Sequence, residues 1–271
     1  MPSRSGCGMI ARMPIYVTVC TAALVGSYVF CLLLFAGGAM RWSPLRGDVA
    51  RGFPGIWEGA GILLFTALLF VLPSLMRQEG AGADTITPAM VLAQAALYLP
   101  IVILYAVRTG NDEKSVYDLG RWVAFCLLSL LAVVGVSKLM ETCGVMRWLV
   151  EKTGCPVMQD VVTLASESLR TAPLWTVCMT VLVAPVGEEV IFRGFLYRTL
   201  KKASSPLPAM LAVGLFFGAV HMSLLQLPLL VLLGVLLCVA YEYSKSILLP
   251  ICLHMLFNGL NILQLWMLNS D

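Results

Sequence analysis

Charge is scarce in this sequence. Only 12% of its 271 residues are Asp, Glu, Lys or Arg, against 59% that are hydrophobic. A soluble globular protein carries about 25% charged and roughly 45–50% apolar residues. The shortage excludes a water-soluble domain as the bulk of the chain. A formal net charge of +3 is too small to hold a nucleic-acid backbone, so no nucleic-acid partner is expected. Histidine is almost missing as well: the chain holds only His221 and His254. Two metal signatures are absent. There is no His-Glu-x-x-His, in which one helix supplies two ligands and a base. There is no Cys-x-x-Cys of the structural zinc type. Internal repeats and low-complexity tracts are also lacking.

What is present is a series of long apolar runs. A spanning helix needs about 20 mostly apolar residues. The length therefore allows roughly six to nine spans and no second soluble domain. The fold class is all-α, a polytopic bundle of about eight transmembrane helices with membrane lipid as its first partner. The predicted spans are Pro14 to Ala39, Gly55 to Met76, Ile86 to Val107, Arg121 to Met140, Ala172 to Gly187, Leu207 to Leu225, Leu227 to Tyr243 and Ile247 to Met267. Glu58 falls near the start of the second and reads as an interfacial residue. Pro100 should kink the third. Residues Val157 to Leu169 mix apolar and polar side chains at near-helical spacing, which predicts an interfacial amphipathic helix.

Arg4 and Arg12 precede the first run in the manner of a signal peptide. That run exceeds the usual h-region of about 7–15 residues, so it reads as a retained helix. The nine cysteines fall mostly inside apolar runs, where they behave as small hydrophobes. Cys143 and Cys155 share a connection and are candidates for a pair. Lys and Arg are more numerous in the loops on the side of Arg198, Lys201 and Lys202. By the positive-inside bias this puts the end of the fifth span on the cytoplasmic side.

The fifth span runs into Pro185-Val186-Gly187-Glu188-Glu189-Val190-Ile191-Phe192-Arg193-Gly194. Charged groups within a span are costly unless paired or hydrated, so they are rare and usually functional. Glu189 and Arg193 are four apart, share a helix face and can pair. Glu188 is rotated from Glu189 by about 100° and is left free to act. A carboxylate in a cavity walled by apolar groups can serve as a general base near neutrality. His221 follows Phe217 by four, and His254 precedes Asn258 by four. His254 and Asn258 share a face, where they serve either as donors to an oxyanion or as an interhelical clamp. Gly214 and Gly218, and Gly187 and Gly194, are small residues suited to close helix contact. Both histidines, the glutamate pair and Asn258 fall in the last third of the chain, which points to one shared polar cavity.

Glu188-Glu189-x-x-x-Arg193, Phe217-x-x-x-His221 and His254-x-x-x-Asn258 resemble, in order and context, the motifs of the CAAX protease and bacteriocin-processing family, also called Abi. These are intramembrane endopeptidases related to the type II CAAX prenyl proteases. The resemblance covers roughly Thr171 to Leu265. It divides the one membrane domain into N-terminal helices, residues 1–170, and a catalytic helical core, residues 171–271. It implies that Glu188, with His221, activates a water, that His254 and Asn258 bind the oxyanion, and that Glu189 and Arg193 support them. The family was long classed as metalloproteases, while its better understood members resemble metal-free glutamate proteases. No cofactor is favoured. If zinc is used, Glu188, His221 and His254 are its ligands, since catalytic zinc often takes three protein ligands.

The implied substrate is a peptide or protein, with an apolar or prenylated end among the possibilities. The implied location is the cell membrane of a bacterium, with the site facing the cytoplasm. Two other classes remain: a non-catalytic immunity or scaffold protein on the same fold, and a proton-coupled transporter using the acid and histidines as a relay. Inverted repeats, the usual mark of the transporter class, are not evident.

Overall fold

The computed structural model describes residues 15–42, 85–109, 118–155 and 160–269. The predicted second span, Glu58, and the arginines of the N-terminus lie outside them. The described residues form helices and turns, with no strand among them. The helices are α1 (Ile15–Trp42), α2 (Pro88–Thr109), α3 (Leu119–Thr142), α4 (Val145–Thr153), α5 (Asp160–Thr171), α6 (Pro173–Ala203), α7 (Pro206–Val220), α8 (Leu227–Ser244) and α9 (Leu248–Asn269). Six of them, α1, α2, α3, α6, α8 and α9, are long and apolar enough to cross a membrane. The protein is an all-α polytopic membrane protein. Its apolar outer faces, such as Leu127, Leu128 and Leu131 on α3, are exposed in the isolated chain. That is what a lipid-facing surface requires.

Local chemistry explains the breaks. Asp118 caps α3 by accepting from the Arg121 backbone N–H, satisfying one of the orphan donors of the first turn. Gly144 and Gly154 adopt positive φ on either side of α4, a conformation that costs glycine no steric strain. Prolines stand in the first turns of α2, α6, α7 and α8, where their missing N–H would have no partner anyway. α2 continues through Pro100 as one helix.

Three expectations change. First, α7 ends at Val220, so His221 caps its C-terminus and does not lie inside a span. Met222 follows with φ of 52° and turns the chain into α8. Fifteen residues of α7 reach only about 22 Å, short of a full crossing. Second, the long polar connection holds two helices. α5 matches the predicted amphipathic segment, and α4 precedes it. α4 packs Met146, Leu149 and Val150 beneath the α7–α8 turn, against Leu224, Leu225, Cys20 and Cys155. Third, Cys143 and Cys155 are free thiols, one exposed and one buried. The nine residues of α4 lie between them, far beyond the ~7 Å that a disulfide spans.

α6 and α9 run antiparallel. Asn258 reaches Thr180, His254 reaches Glu189, and Asn269 bonds Ser166 in α5. α7 and α8 pack closely through the predicted Gly214 and Gly218 face. A β-carbon on Gly234 of α8 would stand 2.9 Å from the Gly214 Cα. Gly234→Ala should therefore force the two backbones apart and destabilise the protein by about 1–3 kcal/mol. Gly135→Ala on α3, where nothing lies within 4 Å, should be neutral or stabilising by up to ~1 kcal/mol through helix propensity. Unfolding of both variants in mixed detergent micelles measures the contrast; equal effects would contradict the packing described.

Candidate active site

The site is built on α6, which is not a uniform helix. Residues Cys178–Val183 and Val190–Tyr197 adopt wider, π-type turns, with Ala184–Glu189 in ordinary α-helix between them. Such segments weaken regular backbone bonding and occur often at functional sites. Glu188 and Glu189 end the ordinary segment, roughly midway along a 31-residue span.

Glu189 and Arg193 meet as their spacing predicts, with Nη1 2.9 Å from Oε1 and both side chains fully buried. Arg193 Nη2 donates to the Gly234 carbonyl of α8 at 2.9 Å. The guanidinium lies 4.9 Å from the Phe217 ring centroid, a cation–π contact that a desolvated setting strengthens. His254 also turns to Glu189: its Nδ1 lies 2.7 Å from the same Oε1. A carboxylate in this contact accepts, so Nδ1–H donates and His254 points its other nitrogen elsewhere. That nitrogen, Nε2, lies 3.8 Å from Glu188 Oε2. Glu188 is 7% exposed, and its Oε2 has no protein hydrogen-bond partner.

His221 is held differently. Its Nδ1–H donates to the Phe217 carbonyl at 2.6 Å, which fixes the tautomer and puts the lone pair on Nε2. The Phe217 ring contacts both imidazoles, 4.8 Å from His221 and 5.7 Å from His254, centroid to centroid. Glu188, Glu189, Arg193 and His254 thus form one cluster, which His221 adjoins through the Phe217 ring that both histidines touch.

Asn258 shares the His254 face of α9 but reaches another part of α6. Its Nδ2 donates to the Thr180 carbonyl at 2.8 Å, inside the first wide segment. One amide hydrogen is therefore committed to a clamp between helices. Sequence reading missed Thr180 and Gly234 because both act through backbone carbonyls, which leave no mark on residue type. Among the described residues, no three of His, Cys, Asp and Glu are grouped to hold a metal ion.

A sequence profile described as type II CAAX prenyl endopeptidase Rce1-like matches residues 170–260. The Bacillus subtilis (strain 168) protein named "Putative membrane peptidase YdiL" is 30% identical over 212 residues, 73% of this chain and 82% of that protein. The chain belongs to the CAAX protease and bacteriocin-processing family of membrane peptidases. No solved structure matches it. The likeness extends further than Thr171 to Leu265, because 212 aligned residues must include part of the N-terminal helices. The whole buried cluster of this CAAX-family protein lies within the matched residues 170–260.

Arg193 carries the cluster's only guanidinium. Arg193→Met should destabilise by about 3–5 kcal/mol, because it leaves Glu189 buried without its cation. Glu242→Gln breaks contacts to Lys201 and Lys245 that are partly exposed and should cost about 1 kcal/mol or less. Steric-trap or detergent unfolding separates the two values; a small loss for Arg193→Met would mean that Glu189 is stabilised without it.

Proposed function

We propose that this protein is a metal-free intramembrane endopeptidase with Glu188 as its general base. The observation that carries the reading is the Glu188 carboxyl. It is buried mid-span, has an oxygen without a protein hydrogen-bond partner, and faces His254 Nε2. Glu189 also keeps an unpartnered oxygen, Oε2, but its Oε1 is held by both Arg193 and His254, whereas Glu188 lacks such an anchor to a fixed cation and a buried charge without one is costly.

In this mechanism Glu188 takes a proton from a water that His221 orients through its Nε2 lone pair. The water oxygen attacks the scissile carbonyl carbon, and the carbonyl π electrons move to oxygen. His254 and the second Asn258 amide hydrogen hold that oxyanion. With Nδ1–H committed to Glu189, His254 offers a proton at Nε2 only as the imidazolium. The C–N bond then breaks, and protonated Glu188 returns its proton to the leaving amine. The products are a carboxylic acid and an amine, which separate as carboxylate and ammonium once the acid's remaining proton passes to the amine. Glu189 and Arg193 act by fixing His254.

The substrate class is a peptide or protein segment reached from the membrane. An apolar or lipidated end would suit a site walled by lipid-facing helices, with the active site on the cytoplasmic side of a bacterial cell membrane.

Purified protein in detergent should cleave members of a peptide library with apolar and farnesylated C-termini. Glu188→Gln should lower kcat by about 10²–10⁴, the usual worth of general acid–base catalysis, and a strong chelator should leave the rate unchanged. Cleavage abolished by chelator and restored by zinc would instead make Glu188, His221 and His254 metal ligands. Full cleavage by folded Glu188→Gln would end the reading.

A further inference from the structure

Gly187 immediately precedes Glu188, and a flexible residue there is a poor mount for a catalytic group. The α2 residue Tyr98 removes that freedom. A β-carbon at Gly187 would stand 2.1 Å from Tyr98 Cδ2 and 2.3 Å from its Cγ. The ring therefore lies flat on the bare backbone at this turn. Tyr98 is itself only 4% exposed and belongs to the main apolar core, with Ile191, Phe192 and Phe217. It cannot swing aside without disturbing that core.

The same contact recurs one heptad along. A β-carbon at Gly194 would stand 2.7 Å from Tyr105 Cδ2, and Tyr105 meets Phe195 edge-on at 6.1 Å. Tyr98 and Tyr105 are seven apart on α2, as Gly187 and Gly194 are on α6. Two ring-on-glycine contacts, the second looser than the first, thus join the helices. Only the first adjoins the glutamates.

We propose that Tyr98 is a positioning residue for Glu188: its ring, seated on Gly187, fixes the backbone from which the carboxyl projects and closes that side of the site. Tyr105 performs the packing half of this role and none of the positioning. The proposal rests on the reading of Glu188 as the base, and it assigns a function to a residue outside the motif segment.

The experiment compares Tyr98→Ala, Tyr98→Leu, Tyr98→Phe and Tyr105→Ala with Glu188→Gln, using the library peptide cleaved fastest by the unaltered protein. Carboxyl infrared spectra, in which the band missing from Glu188→Gln belongs to Glu188, provide a readout independent of turnover. Tyr98→Ala and Tyr98→Leu should lower kcat by about tenfold to a hundredfold, leave KM within about twofold and move the Glu188 band. Tyr98→Phe keeps the ring and should retain both kcat and band. Tyr105→Ala should lower thermal stability without moving the band. Wild-type kcat and an unmoved band in folded Tyr98→Leu would overturn the proposal. So would equal losses in Tyr98→Leu and Tyr105→Ala. Full activity in Glu188→Gln would remove the base assignment itself, a result distinct from either.

Discussion

The ion pair between Glu189 and Arg193 is the constraint to which the rest of the core answers. Both groups are fully buried in the middle of a membrane-crossing helix. Two charges there carry a desolvation penalty that only close geometry and additional hydrogen bonds offset. The structure supplies both from neighbouring helices. α8 gives the Gly234 carbonyl, α7 gives the face of Phe217, and α9 gives the His254 N–H. Each donor or ring must approach closely, so the helices that carry them must approach closely too. Gly214, Gly218 and Gly234 make that possible between α7 and α8. Small side chains at that contact and a buried charge pair beside it are two parts of one arrangement.

The pair also decides what its neighbours can do. Glu189 Oε1 accepts from both Arg193 and His254, so the histidine is oriented by the same oxygen that anchors the arginine. That contact turns His254 Nε2 toward Glu188. Glu188 is one residue back and about 100° round the helix, where its Oε2 meets His254 Nε2 at 3.8 Å while Arg193 is held by Glu189. Adjacent carboxylates thus meet different partners because they face different ways. The wide turns on both sides of the glutamates extend the pattern. They disturb the regular backbone ladder, and the Thr180 carbonyl within the first one receives the Asn258 amide from α9.

What could be read from the sequence was mostly what depends on local spacing. The Glu189–Arg193 pair, the Gly214 and Gly218 contact and most span limits follow from helical geometry and apolar length. What could not be read depends on distant partners. Asn258 and His254 share a face, as predicted, yet the four-residue spacing gives no hint that one reaches Thr180 and the other Glu189. The end of α7 at Val220 was hidden because Met222, Leu224 and Leu225 continue its apolar run. The turn is made by the backbone at Met222 and not by a glycine or proline. α4 was missed because a nine-residue helix in a polar connection resembles a loop. Tyr98 was missed because nothing in a lone tyrosine on an apolar helix announces a glycine facing it.

The short α7–α8 hairpin ties these surprises together. From Ala203 back to Glu188, and from Pro206 forward to His221, the chain travels about the same distance, roughly 22 Å at helical rise. α7 must stop there for His221 to stand at the depth of the glutamates. Stopping leaves a turn, Met222 to Gln226, whose backbone groups cannot face hydrocarbon. Burial against protein is the remaining solution, and α4 with the start of α1 provides it through Leu149, Val150, Tyr16 and Cys20. α4, hidden in what read as a polar connection, therefore answers a requirement set by the depth of the glutamates. A histidine placed mid-membrane at a helix end demands a floor beneath the turn that follows it, and α1 and α4 supply that floor.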